Sequence, residues 1–300
     1  MDTEEMTNLS ASLRQRLAES CEILYPQLIV TSASPDGAAK ILVQFEDGNK
    51  VESVHIPEGE RHTACLSTQV GCLIGCKFCA TGRMGFTRNL TAGEIIGQLF
   101  VLERNLDIRS SNIVFMGMGE PLMNTKSVFK TVGILTDPAI NGLSSSRITI
   151  STMGWLPGIQ AMIDQQLKVK LAISLNGTSD EFRQKLMPLA GKYSVASVLE
   201  AAHEYSKNSG QRISLSYLLL AGLNDSKKDA HELAKLVSPL PAKVNLMEYN
   251  DIGGEFRRSE KDTVEKFYNI LKEKGVTVTI RNSRGSEARA ACGQLAVNSK

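Results

Sequence analysis

Beyond residue 60 the apolar positions fall into short blocks separated by longer stretches of helical spacing. Runs rich in Val and Ile at 63–70, 112–116, 147–152, 168–174, 213–220 and 244–249 have the length of strands. Between them, 126–135, 156–165, 180–189, 195–205, 228–237 and 261–274 repeat apolar residues every three or four positions, and 276–280 closes the series as a last strand. Thr91 opens a further helix. Glu94 completes a capping box there, and Ile95, Ile96, Leu99, Phe100 and Leu102 form its apolar face. Strands separated each time by a helix imply parallel pairing through right-handed crossovers. Six such units predict an α/β fold built as a partial or complete (βα)6 TIM-type barrel, with an open doubly wound sheet as the alternative.

Ahead of this series the pattern differs. Residues 10–18 read as a helix that stops before Tyr25-Pro26. Short strands at 28–34, 39–45 and 50–56 are broken by Asp36-Gly37 and Asp47-Gly48, both strong turn signals. The expected organisation is a helix with an antiparallel β-hairpin appendage over 1–60, a barrel over 61–283, and a C-terminal segment over 284–300 that carries Cys292.

In either architecture ligands bind at the C-terminal ends of the strands. The unusual residues fall there: a cysteine loop after the first strand, Gly117-Met118-Gly119-Glu120-Pro121 after the second, Ser151 to Gly154 after the third, Ser174-Leu175-Asn176 after the fourth and Tyr249-Asn250 after the sixth. Taken alone, Ser151 and Ser174 read as ordinary strand-end hydrogen bonders. Their recurrence at one face points to a shared pocket.

Composition narrows the class. The chain has 300 residues, 42% of them hydrophobic, enough for a sizeable core. The net charge of +2 means that any nucleic-acid contact must come from local basic patches. No apolar run reaches bilayer length and the N-terminus has no signal-peptide core, so the expected location is the cytoplasm, with no membrane partner. Clustered cysteines in that setting indicate a metal or catalysis more than disulfides. Cys21, with no partner nearby, reads as a small buried hydrophobe.

Four of the six cysteines lie in CLSTQVGCLIGCKFCATGRMGFTRNL, which starts at Cys65. Cys72, Cys76 and Cys79 follow a C-x3-C-x2-C spacing. Three thiolates serve a structural zinc only with a fourth ligand from elsewhere, whereas they hold a [4Fe–4S] cluster with one iron left open. Gly71 and Gly75 let the loop turn tightly, and Phe78 is placed to shield one side of a cluster.

This spacing, after a strand and before a capped helix, resembles the radical S-adenosylmethionine (SAM) superfamily, whose open iron chelates the amino and carboxylate groups of SAM. The segments CLSTQVGC, CATGRMGFTRNLTAGEIIGQ, MGMGEPLMN, RITISTMG, LAISLNGTSDEFR, NLMEYN and RGSEARAACGQL, in that order from about residue 50 to the C-terminus, resemble the adenine-C2 RNA methyltransferases (RlmN) and their C8-methylating relatives (Cfr). The resemblance implies that Cys72, Cys76 and Cys79 hold the cluster. It places Gly119, Glu120, Ser151, Ser174, Leu175, Asn176 and Asn250 around SAM, with Glu120 on the methionine amino group. Cys292 matches the methyl carrier, which one SAM methylates and which a radical from a second SAM activates toward adenine. Cys65 matches the cysteine that releases the product through a transient disulfide with Cys292, and Glu52 the base that takes the C2 proton. The implied substrate is 23S rRNA, with tRNA as a second candidate, and the implied electron donor a flavodoxin or ferredoxin serving a monomeric enzyme.

Both thiols must ionise, which argues for an electropositive pocket, and Arg284 and Arg289 are candidates to supply it. Arg83, Arg88, Lys227, Lys228, Arg257, Arg258 and Arg281 are further candidates for phosphate. The family usually carries a helical N-terminal domain and a basic tail. Only a short helix precedes residue 28 here, and the chain stops at Lys300, so weaker phosphate binding is expected. The same two-cysteine chemistry on adenine C8 or on a non-RNA substrate is the alternative, and a non-enzymatic zinc protein is a third reading.

Overall fold

A computed structural model describes residues 6–21 and 25–297. Helix α1 (Ala11–Ser20), capped by the Ser10 hydroxyl, buries no residue. Cys21 at its C-cap is exposed, contrary to the expectation of a buried site, because the helix offers it no core. Strands β1 (Gln27–Ala33), β2 (Ala39–Gln44) and β3 (Lys50–Glu58) pair antiparallel in sequence, with left-handed Gly37 and Gly48 forming the two predicted turns. They continue into β4 (Arg61–Cys65), which is antiparallel to β3 and parallel to β7 (Asn112–Phe115).

From β4 onward the pairing is parallel: β7, β8 (Ile148–Thr152), β9 (Lys170–Ser174), β10 (Ile213–Leu219), β11 (Ala242–Glu248) and β12 (Val278–Arg281) follow in spatial as in sequence order. The helices between them are α3 (Ala92–Leu106), α4 (Thr125–Thr136), α5 (Leu156–Asp164), α6 (Asp180–Leu186), α7 (Val195–Ser209), α8 (Lys227–Val237) and α9 (Lys261–Glu273). The result is the partial barrel expected, one open ten-stranded sheet. Among the described residues no helix is long and apolar enough to cross a membrane.

The strand faces explain where a ligand fits. On β10, Ile213, Leu215, Tyr217 and Leu219 are buried, while Ser214, Ser216 and Leu218 alternate with them on the less buried face. β8 and β11 repeat this, with Ser151 and Met247 on the less buried side. The fully buried set joins the apolar faces of α7, α8 and α9 in one continuous core. The small and polar set on the other face leaves room inside the curve of the sheet.

One strand ends earlier than the pattern suggests. The expected strand 63–70 stops at Cys65. Leu66 still donates to the Val114 carbonyl (2.9 Å), but the next N–H, of Ser67, is taken by the Gln98 side chain of α3 (3.0 Å). Residues Gln69–Gly71 form β5, which pairs instead with β6 (Phe86–Asn89), just after the short helix α2 (Ala80–Arg83). Helix α6 likewise ends at Leu186 rather than at 189, because Pro188 begins a 3-10 turn.

Gly158 on α5 lies against the turn that follows Glu120. An added Cβ there would stand 2.4 Å from the Leu122 Cβ and 2.7 Å from its carbonyl oxygen. Gly158→Ala is therefore expected to destabilise the fold by about 1–3 kcal/mol, despite the better helix propensity of alanine. The check is a lowered urea midpoint at unchanged m-value.

Candidate active site

The C-terminal ends of the parallel strands surround a cavity with about 1030 Å3 of open space counted out to its mouth. Cys72, Cys76 and Cys79 line one side, with Phe78 between them, and Gly119, Glu120, Ser151, Ser174 and Asn176 line the strand-end side. Asn250, Cys292 and Gly293 close a third side.

The cysteine loop is shaped by its own backbone. Gly71 and Gly75 have φ of 75° and 69°, the left-handed conformation that glycine adopts without strain. Gly71 also passes so close to Gly85 that any side chain would collide with its carbonyl. Cys72 N–H donates to that same carbonyl (2.7 Å), and Cys79 N–H to the Cys76 carbonyl (3.1 Å). Burial, joined by the negative charge of Glu120 and Cys79, pushes the Cys72 thiol up to about 12. Burial and its two partner cysteines push Cys76 well above the ordinary thiol value.

Cys72 and Cys76, both held from ionising and both beside Cys79, belong to a donor set suited to a positively charged centre, which reverses the effect. Among the described residues, no three His, Cys, Asp or Glu converge closely enough for a single metal ion. A four-iron cube takes each cysteine on a separate iron, so its ligands stand farther apart. The loop fits the cluster.

Opposite the loop, Gly119 adopts φ 102°, and a Cβ there would meet Gln69 at 2.6 Å. Glu120 is buried, accepting Met153 N–H at Oε2 (2.9 Å) and Leu122 N–H at Oε1 (3.1 Å). Burial raises its carboxyl to about 7, against these N–H groups and the Thr152 hydroxyl, which pull it down. The folded value exceeds the ordinary 4.5, so the folded state holds its proton to higher pH than the unfolded chain. In the ligand-free protein Glu120 thus contributes stability that is full below about pH 4.5 and is lost, by about 3 kcal/mol, as pH rises through 7. Glu120→Gln should remove this fall between pH 4.5 and 8 in urea titrations, and an unchanged profile would exclude Glu120 as its source.

Asn176 holds a left-handed φ of 55° and accepts Leu218 N–H at its side chain (3.0 Å). Leu175 does not line the cavity. Its side chain is wholly buried in the core, and its N–H donates to the Ser216 carbonyl (2.9 Å). Ser216 itself lines the cavity, and sequence reasoning passed over it because ISLSYLL reads simply as a strand. Asn224, also unflagged, is buried and ties the Asn176 and Leu218 carbonyls together (3.0 and 2.8 Å).

The C-terminal segment lies directly on the cysteine loop. Ala80 N–H donates to the Gly293 carbonyl (2.7 Å), the Thr81 hydroxyl to Leu295 O (2.6 Å), and Asn250 Nδ2 to Cys292 O (3.1 Å). Glu52 on β3 accepts Ala296 N–H (3.0 Å) and pairs with Lys40 Nζ (2.9 Å). Cys65, buried at the end of β4, is near enough to Cys292 for charge on one to raise the pKa of the other. Glu52 and Cys65 are buried and do not line the cavity, while Cys292 does. Protein crowds Cys292 on its other sides, and that burial, followed by Cys79, raises its thiol.

The electropositive pocket expected around these thiols is not built from Arg284 and Arg289. Arg284 Nη1 donates to the Pro57 carbonyl (2.5 Å), and Arg289 is exposed, with its carbonyl accepting from Lys40 Nζ (3.1 Å). Lys40 pairs with Glu52 (2.9 Å). Arg88, a candidate for phosphate, is likewise occupied by Asp47 (2.6 Å) and Glu94 (2.7 Å). Arg83 is bonded to the Lys77 and Gly253 carbonyls.

A three-cysteine loop at the open end of a partial parallel barrel defines a radical SAM protein. The Radical SAM superfamily model matches residues 66–237, and the enzymes of this superfamily use a [4Fe–4S] cluster and SAM. A radical SAM methyltransferase from Sphaerobacter thermophilus superposes with a TM-score of 0.93 at 38% identity, over 98% of this chain and 88% of that one. SuiB from Streptococcus suis, solved with SAM, shares the fold alone, with a TM-score of 0.53 at 12% identity, over 75% of this chain and 52% of that one. The dual-specificity RNA methyltransferase RlmN of Geotalea uraniireducens is 44% identical over 97% of this chain and 84% of its own length. A probable RlmN of Chlorobium luteolum is 46% identical over 98% and 85%. The chain belongs to the RlmN family of radical SAM methyltransferases.

Proposed function

We propose that this enzyme methylates C2 of adenine in 23S rRNA and in tRNA, with Cys292 as methyl carrier, Cys65 as the releasing thiol and Glu52 as the proton acceptor. One observation carries the reading: the Cys292 segment is bonded to the cysteine loop through Ala80 and Thr81 and to the Glu52 carboxylate through Ala296.

Cys72, Cys76 and Cys79 would hold the cluster, which when bound supplies the electron that cleaves SAM to a 5′-deoxyadenosyl radical. C2 of adenine is not nucleophilic, so the methyl group must first rest on a protein atom. The Cys292 thiol opens into the cavity and suits that role. Burial holds its pKa up and no arginine offsets this, so the sulfonium charge of SAM bound in the same cavity favours the thiolate there.

Burial, opposed by Lys40 and the Ala296 N–H, raises the Glu52 carboxyl above its ordinary value, the direction that favours a proton acceptor. Cys65 is kept as a thiol by burial and by negative charge on Cys292. Once Cys292 sulfur is bonded to carbon it carries no charge, and that opposition disappears. That opposition is therefore gone from the S-methylated state onward, while burial, the larger cause, still holds Cys65 as a thiol. A flavodoxin or ferredoxin serves as electron donor in this reading, and the enzyme acts as a monomer in the cytoplasm.

The test is anaerobic reconstitution with iron, sulfide, SAM and a reductant on unmodified 23S rRNA and tRNA. Nucleoside mass spectrometry should show 2-methyladenosine. 8-Methyladenosine in its place would transfer the chemistry to C8, and a protein that methylates Cys292 but no RNA would overturn the substrate.

A further inference from the structure

Arg183, in α6, is the largest of the wholly buried side chains. Arginine is rarely buried unless paired, and a guanidinium stays charged near neutrality even where burial lowers its pKa. Its hydrogen bonds run to main-chain carbonyls: Nε to Leu175 O (3.0 Å) and Nη2 to Met153 O (2.6 Å). Its third nitrogen, Nη1, is buried and has no hydrogen-bond partner among the described residues.

The position of these contacts gives them meaning. Met153 and Leu175 each directly follow a parallel strand, beside Ser151 and Ser174, which line the cavity. Met153 N–H in turn holds Glu120 (2.9 Å). One planar fork therefore fixes the ends of β8 and β9 and, through Met153, the carboxylate. On its other side α6 touches the cysteine loop, where Lys77 N–H donates to the Leu186 carbonyl (3.0 Å). The charged neighbours felt by Arg183 are Asp180 and Cys76.

We propose that Arg183 is a positioning residue that supplies the cluster site with a buried positive charge, favouring the reduced cluster, while it holds the SAM-facing strand ends. The inference rests on the assignment of Cys72, Cys76 and Cys79 as cluster ligands. Reduction adds one negative charge beside Cys76. A fixed cation in a weakly screening interior stabilises that charge more than the oxidised state, and cluster potentials follow local charge and hydrogen bonding.

The test is a redox titration of the anaerobically loaded protein, followed by electron paramagnetic resonance, with iron content and the melting temperature of the ligand-free chain measured alongside. Arg183→Met should lower the ratio of reduced to oxidised cluster at a fixed poise by about tenfold, a shift of 59 mV for a one-electron couple. Arg183→Lys keeps the charge but not the fork. It should hold that ratio within about threefold while raising the KM for SAM more than it lowers kcat. Arg183→Gln removes the charge while keeping a hydrogen-bond donor in place of the fork, and should lower the ratio as Arg183→Met does.

Equal potentials in wild type and Arg183→Met would overturn the proposal and leave the cysteine assignment standing. A lysine variant displaced as far as the methionine variant would show that shape, not charge, is responsible, and would also overturn it. If Arg183→Met does not fold or load, Arg183→Gln decides: a lowered ratio supports the proposal, and an unchanged or raised one sinks it. Wild-type protein that binds no cluster would remove the cysteine assignment and this inference together.

Discussion

A Cys65→Ala chain is expected to leave cells with RNA covalently attached through Cys292. The release step needs a second thiol that reaches Cys292 sulfur, and Cys65 is the buried cysteine that senses its charge. Alanine removes one sulfur from a buried strand end, at a folding cost on the order of 1 kcal/mol, so the protein should still fold. Methylation of Cys292 and formation of the adduct precede release and should proceed. Turnover should then stop with one RNA per chain, a fall of at least about 10²-fold in multiple-turnover rate. Nuclease digestion and mass spectrometry should leave a nucleotide remnant on the Cys292 peptide, and sequencing the attached RNA would name the substrates. A Cys65→Ala protein that comes out free of RNA yet methylates at the wild-type rate would remove Cys65 from the mechanism.

What could be read in the sequence was local. The capping box of Thr91 and Glu94 is present at both of its hydrogen bonds, and the Gly37 and Gly48 turns stand where the dipeptides put them. The cysteine spacing and the glycines beside it describe a loop whose geometry depends on its own residues. Most of the parallel strands were legible because they are short, largely buried apolar blocks followed by a helix.

What could not be read depended on partners distant in sequence. A period-two pattern says that 63–70 is extended but not that Gln98 from α3 will take the Ser67 N–H and divide it. Lys40 meets Glu52 only through the β2–β3 register, which sets Leu42 opposite Glu52 and Lys40 opposite Val54, a diagonal pair. The arginines near Cys292 in the chain were the natural guess for its electropositive partner. Proximity in sequence misled there, since Arg284 is drawn to the Pro57 carbonyl instead. Arg183 gave no signal, because an arginine in DEFRQKL looks like any solvated helical charge until the surrounding strand ends are seen to enclose it.

Cys292→Ala is expected to have the largest effect of any single substitution on methyl transfer while sparing the cavity. The alanine chain has no atom that can accept the methyl group, and Cys65 is too buried to take its place. Methylated RNA should fall by more than about 10³-fold, the scale of removing a nucleophile. The contacts that seat the segment are made by the backbone carbonyls of Cys292 and Gly293 and by Leu295 and Ala296, so substitution of the side chain leaves them intact. SAM affinity should therefore change by less than about threefold, separating a lost carrier from a disordered site. Intact-mass measurement after incubation with SAM should find no added methyl group on the variant and one on the wild type. Methylated RNA at wild-type yield from the alanine chain would show that the carbon travels by another route, and Glu52 and Cys65 would then lose the intermediate on which both of their roles depend.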